Sequence, residues 1–167
     1  GWKKAGAEIS LFSPLKNEAP RTGADAVFLP GGYPELHADR LSQNQTFLNG
    51  LKNSKALIYG ECGGFMVLGD ALIDAQGQSH PMAGLLPLTT SFATRKLHLG
   101  YRQLTPLGGP WTKPLRGHEF HYSSIASEGS ADRLFAASDA SGQDLGSIGQ
   151  RRGHVMGSYA HIMCEAP

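Results

Sequence analysis

Apolar residues follow two different rhythms along this chain. In the first half, short unbroken apolar runs alternate with longer amphipathic ones. Ala26-Val-Phe-Leu29 and Ala56-Leu-Ile-Tyr59 are four-residue runs bounded by turn residues. Such runs suit strands buried on both faces, as in a parallel sheet. Between them, Pro34 to Asn53 reads as helix in two pieces, with Phe47, Leu48 and Leu51 on one face. Gly63 to Leu72 reads as the next helix, and Glu8-Ile-Ser-Leu-Phe-Ser13 as a further strand. Strand and helix in alternation predict a parallel α/β core with right-handed crossovers.

The second half changes period. After the turn signal Asp74-Ala-Gln-Gly77, the segments Leu97 to Leu104, Leu115 to Ile125, Arg133 to Ser138, Leu145 to Gln150 and Val155 to Ile162 read as strands separated by Gly-rich turns. No second helix-rich unit and no internal repeat is visible. One domain over residues 1–167 is expected, with an antiparallel extension on the parallel core. Residues 1–8 read as the end of a helix leading into a second strand. A doubly wound sheet usually has its first strand in the middle. The first strand is therefore expected to be missing, with an empty lane between strands at Ile9 and Val27.

Composition narrows the function classes. The 167 residues carry a formal net charge of +1. Basic residues form no tract, which argues against a nucleic-acid surface. No apolar run approaches the ~20 residues of a membrane span, and no signal-peptide pattern opens the chain. Two cysteines, Cys62 and Cys164, make no disulfide framework. With one of them in a reactive setting, a reducing compartment, the cytoplasm, is expected.

That setting is Gly60-Glu61-Cys62-Gly63-Gly64, placed between an apolar strand and an apolar helix. It is the G-x-C-x-G form of a nucleophile elbow, in which glycines tolerate the crowding of a tight strand-to-helix turn. A buried structural cysteine is the ordinary alternative, but strand, motif and helix in order favour a nucleophile. The helix start is expected to lower the thiol pKa.

A thiol that attacks an amide also needs a base, an oxyanion hole and a pocket. Among seven histidines, His161 in Gly157-Ser-Tyr-Ala-His161 is the best candidate base. Pro30-Gly31-Gly32-Tyr33-Pro34-Glu35 follows one buried strand as Cys62 follows the other. Two parallel strands deliver both loops to one carboxyl edge, where such folds bind ligands. Amides of Gly32 or Tyr33, with that of Gly63, are candidate oxyanion donors. In Arg116-Gly-His-Glu-Phe-His-Tyr-Ser123, alternation puts His118 and Phe120 on one face and Glu119 and His121 on the other. A metal reading of this run is weak, because residues split across two faces cannot meet one ion.

Five ordered motifs carry a family resemblance: Pro30-Gly-Gly-Tyr-Pro-Glu-Leu-His37, Gly60-Glu-Cys-Gly-Gly-Phe-Met-Val-Leu-Gly69, Arg95-Lys-Leu-His-Leu-Gly-Tyr-Arg102, Gly117-His-Glu-Phe-His-Tyr-Ser123 and Gly157-Ser-Tyr-Ala-His161. Together they resemble the C-terminal glutaminase part of cobyrinic acid a,c-diamide synthases, which belong to the class I (triad) glutamine amidotransferases of cobalamin biosynthesis. The resemblance implies a flavodoxin-like fold. It implies that Cys62 attacks the side-chain amide of glutamine, that His161 protonates the leaving ammonia, and that water releases glutamate. It also implies that Gly31, Gly32, Tyr33, Gly63, His118 and Glu119 line the oxyanion and glutamine site. Ammonia would pass to an ATP-dependent synthetase domain that amidates the a and c carboxylates of a corrinoid. ATP and Mg would belong to that domain, which is absent here; the chain itself has no G-x-x-x-x-G-K-[ST].

One departure stands out. Many triad amidotransferases carry Glu two places after the base, where this chain has Met163; Glu165 comes four places after it. Glu119 or a backbone carbonyl is the expected orienter of His161. Rival readings are the glutaminase part of cobyric acid synthase, whose elbow resembles G-I-C-G-G, a related cysteine hydrolase, and a catalytically weak docking module.

Overall fold

The computed structural model describes residues 2–166. The parallel core starts with β1 (Ala26–Leu29), continues through α1 (Ala38–Gln43) and α2 (Gln45–Asn53) to β2 (Leu57–Glu61), and then enters α3 (Gly63–Leu68). The short strands β3 (Ala71–Ile73), β4 (Ser79–Pro81) and β5 (Leu88–Ser91) follow. The remainder is all strand: β6 (His98–Pro106), β7 (Leu115–His121), β8 (Ser124–Glu128), β9 (Asp132–Asp139), β10 (Asp144–Arg152), β11 (Val155–Ser158) and β12 (His161–Glu165).

Eight strands form one sheet in the order β1-β2-β11-β10-β9-β6-β7-β12. β2 pairs in parallel with β1 on one side and β11 on the other. The other pairings of this sheet are antiparallel. A second sheet of four strands runs β4-β3-β5-β8. The parallel core with an antiparallel extension is thus as the sequence predicts, but Val155–Ser158, expected in the extension, joins the core as a strand parallel to β2.

Side-chain alternation on β2 explains why the molecule has two cores. Ile58 points into a cluster with Val27, Leu29, Phe47, Leu51, Phe65, Leu68, Leu72 and Leu88, which joins the helices and the small sheet to the parallel strands. Its neighbour Tyr59 points the other way, into Leu104, Leu115, Leu134, Phe135 and Met156 beneath the antiparallel strands. A strand buried on both faces needs an unbroken apolar run, and 56–59 supplies it.

Four expectations need correction. Residues 8–13 form no strand. Their groups are taken up locally: Glu18 accepts from the Ser13 amide at 2.7 Å, and the Ser13 side chain caps the turn Pro14–Lys16. No empty lane therefore separates strands at Ile9 and Val27; among the described residues β1 is an edge strand paired with β2 alone. α3 stops at Leu68, because Gly69 turns extended and Ala71-Leu72-Ile73 joins the small sheet instead. The runs 115–125 and 155–162 each split in two, into β7 and β8 and into β11 and β12. β4 and β5 were not foreseen; three or four residues are too few to show a period.

Candidate active site

The chain reverses direction at Cys62 in one residue. Its φ is 48° and ψ is −105°, a strained combination for a residue with a side chain, costing of order 1–3 kcal/mol. Asn17, also at positive φ, sits in an ordinary left-handed helix cap that asparagine tolerates. The elbow is held by its neighbours: the Cys62 amide donates to the Ser158 carbonyl at 2.9 Å, tying it to β11.

Two glycines close the space around it. A methyl on Gly63 would come within 2.8 Å of the Gly32 carbonyl and 2.9 Å of the Gly32 nitrogen. A methyl on Gly31 would collide with the imidazole of His161. The loop after β1 is therefore wedged between the elbow and the candidate base, and only glycine permits that approach. The loop thus brings Gly31 against His161 and Gly32 against Gly63, the residue after Cys62. The Tyr33 side chain is exposed.

The strand pairs place the candidate base His161. β12 begins at His161, directly opposite His118 on β7. The two rings stack with centroids 4.8 Å apart and planes 12° from parallel. Two residues along β7, the Phe120 carbonyl lies 3.8 Å from the Cys62 sulfur and accepts its hydrogen bond. The run 117–121 thus touches both Cys62 and His161. Its alternation is as expected: Glu119 and His121 leave on the opposite face.

Glu119 does not orient His161. Arg102 holds its carboxylate through Nε at 2.9 Å and Nη2 at 2.7 Å. The carboxylate that faces the imidazole is Glu61, with Oε2 3.8 Å from His161 Nδ1. Its other oxygen accepts from the Ile162 amide at 3.0 Å. Sequence reading missed Glu61 because alternation gives its face but not what lies across from it. Its position beside the nucleophile was the available signal.

The electrostatics overturn the expectation of a low-pKa thiol. Burial pushes the Cys62 thiol up to about 11; the Gly63 amide lowers it, and Glu35, Glu119 and Glu61 raise it further. α3 is only six residues long, too short for its start to outweigh burial and three carboxylates. His161 is held below the usual imidazole value by burial and by His118. At neutral pH both the Cys62 thiol and the His161 imidazole are therefore neutral.

Neither of two surface clefts contains Cys62. One of about 300 Å³ lies between residues 35–40 and the Asp74–His80 pair. The other, about 170 Å³, lies beside Phe65, Glu119 and Tyr159. Cys62 is itself buried, 5% exposed, with the Phe120 carbonyl near its sulfur and the loop after β1 packed against the elbow. Leu99, Tyr101 and Phe120, on the same face of β6 and β7 as His118, stay exposed.

The CobB/CobQ-like glutamine amidotransferase domain family matches residues 3–167. The hydrogenobyrinate a,c-diamide synthase of Brucella anthropi is 60% identical over 167 residues, covering 98% of this chain and 38% of that protein. That of Sinorhizobium is 55% identical with the same coverage, and that of Mesorhizobium japonicum is 49% identical over 99% of this chain and 39% of that protein. The chain thus spans well under half the length of these curated relatives. A solved glutamine amidotransferase aligns over 95% of this chain and 80% of its own, with a TM-score of 0.54 at 15% identity, which speaks to the fold.

Proposed function

The chain belongs to the CobB/CobQ-like glutamine amidotransferase domain family, and from that premise we propose how its residues release ammonia from glutamine. The Cys62 sulfur attacks the side-chain carbonyl carbon while His161 Nε2 takes the thiol proton. Amides of Gly63 and of Gly32 or Tyr33 receive the developing oxyanion. The imidazolium returns its proton to the departing nitrogen, the C–N bond breaks, and ammonia leaves. Water then attacks the thioester, with His161 as base, and glutamate departs.

The observation that carries this reading is the wedge: Gly31 lies under the His161 ring and Gly32 lies against Gly63. One loop thereby touches base and elbow together. The neutral pair fits a proton transfer concerted with attack better than a standing thiolate.

We assign the ammonia to a synthetase half of the same protein that amidates the a and c carboxylates of hydrogenobyrinate, the substrate in the names of the relatives. ATP and Mg would be held in that half; no phosphate-cradling G-x-x-x-x-G-K-[ST] occurs in this chain. The exposed apolar residues beside the site support such a cover, since large exposed apolar patches mark interaction surfaces. The test is steady-state glutamate release by the chain, by Cys62→Ala, and by each with the synthetase half added. Slow turnover by the chain, stimulation by the added half and none in Cys62→Ala are expected. Turnover surviving in Cys62→Ala would overturn the assignment.

A further inference from the structure

We propose that Glu61, the residue immediately before the nucleophile, is the positioning carboxylate that supports His161 when it carries a proton. This rests on His161 being the proton carrier of the reaction above. The sequence offers three other side-chain positions and a backbone carbonyl; among the described residues no carbonyl hydrogen-bonds the His161 ring, and none of the three side chains serves. Met163 has no acceptor suited to an imidazolium and is exposed. Glu165 pairs at the surface with Lys113 at 2.8 Å. Glu119 belongs to Arg102.

Glu61 remains, and the fold fixes it from both sides. As the last residue of β2 it is buried, 8% exposed. Its Oε1 accepts the Ile162 amide, the peptide group next to the base, and this aims Oε2 at Nδ1. A separation of 3.8 Å is longer than a hydrogen bond, so no such bond joins Glu61 to the neutral imidazole. When His161 gains the thiol proton, Nδ1–H and Nε2–H are both donors with a full positive charge. A carboxylate less than 1 Å beyond hydrogen-bond range then stabilises the imidazolium and holds the ring with Nε2 toward the departing nitrogen. Contacts of this kind commonly tighten only as the reaction proceeds. Burial raises the Glu61 carboxyl above its ordinary value, with the Ile162 amide acting against that rise. An imidazolium partner therefore favours the ionised form of Glu61 in turn.

The decisive variant is Glu61→Gln in the full chain. Glutamine keeps an oxygen for the Ile162 amide and loses the charge. Titration of the His161 ring by NMR should show its pKa falling by about one unit relative to the unchanged chain. Glutamate release should fall about 10²-fold in kcat with KM within about twofold. That is less than the ~10⁴ seen when a directly bonded triad aspartate is neutralised. Glu61→Asp keeps the charge one methylene further back and should fall between the two in both readouts. It also serves if Glu61→Gln does not fold. If Glu61 only pins β12, Glu61→Gln will match the unchanged chain in His161 pKa and kcat while Glu61→Ala loses stability. That pattern overturns the proposal. Should the unchanged chain release no glutamate, the glutaminase reading fails on its own, and the His161 titration still decides the Glu61–His161 pairing.

Discussion

The two flanks of the large sheet treat their surfaces in opposite ways. Across β2 and β11, every position except Leu57 is buried. Across β6, Leu104 alone is buried, and Leu99 and Tyr101 stand 64% and 66% exposed. Cys62 sits at the end of the first flank and His161 beside the second. This division has a physical sense. The strained backbone of Cys62 persists only where neighbours over-determine it, and a strand packed on both faces provides that. In the proposed reaction His161 exchanges protons with substrate, which calls for an open face, and it lies beside the flank that is covered on one side only. The site is a seam between a rigid half and a half-covered one.

The largest expected effect breaks the seam itself. In Gly31→Ala, the new methyl has to displace the His161 ring or the loop. Misplacing a reacting group by about 1 Å costs about 10², and a lost oxyanion donor about 10²–10³. Glutamate release should therefore fall about 10³-fold, while the thermal midpoint changes little because Gly31 is not in the core. Gly32→Ala is the matched comparison, since its methyl meets nothing within 4 Å. It should stay within about tenfold of the unchanged chain. Equal losses in both would mean that the wedge is not what aligns the site.

The next effect belongs to the antiparallel flank alone. His121 is buried, stacks on Tyr159 with centroids 3.7 Å apart, and holds the Ser123 carbonyl at 3.0 Å. Burial is the main reason its pKa is pushed down to about 4. The unfolded chain has its ordinary value of ~6.5, so between the two the unfolded state binds more protons. Stability thus rises with pH through this window. It is lost as pH falls from about 6.5 to about 4, by at most about 3 kcal/mol. Urea unfolding at pH 7 and pH 5 measures the loss, and His121→Phe, which keeps a ring and cannot titrate, should flatten it. The shift of His161 has the same sign, so some slope will remain. An unchanged slope in His121→Phe would move the effect elsewhere.

What the sequence makes legible follows the same division. Gly60-Glu-Cys-Gly-Gly and Pro30-Gly-Gly are local patterns tied to apolar strands, and both landed where the pattern puts them. The strands β1 and β2, the helices between them and the face of His118 were likewise readable from period, whereas β11 was not read as part of the parallel core. The role of Glu61 was not, because the contact between its Oε1 and the Ile162 amide joins residues 101 apart in sequence. Nor was the Phe120 carbonyl under the thiol, which depends on how β7 crosses the elbow. The thiol pKa failed for a related reason. A helix start is visible locally, whereas burial and three carboxylates from β2, β7 and the loop after β1 are assembled only by the fold. The splitting of 155–162 was hidden because Tyr159 and Ala160 are as apolar as strand residues and are buried between β11 and β12.

The smallest effect sharpens the comparison at the exposed flank. Leu99 and Phe120 lie directly opposite each other across β6 and β7, on the face that carries His118 and His161. Phe120 is 46% exposed and touches Tyr122 edge-on, with Arg95 over the Tyr122 ring at 4.9 Å. Changing both Leu99 and Phe120 to Ser removes apolar surface that the isolated chain leaves in water, so thermal stability should move by no more than about 0.5 kcal/mol per site. If the synthetase half covers this face, each side chain would contribute roughly 1.5–3 kcal/mol when fully buried. Even partial cover makes the double variant about tenfold weaker in binding that half, with a matching rise in the amount needed to stimulate glutamate release. Leu11 is 92% exposed and lies outside both sheets, so Leu11→Ser should leave the stimulation curve unchanged. A double variant that binds and responds like the unchanged chain would show that the cover sits elsewhere, and the open face of β6 and β7 would then need a different explanation.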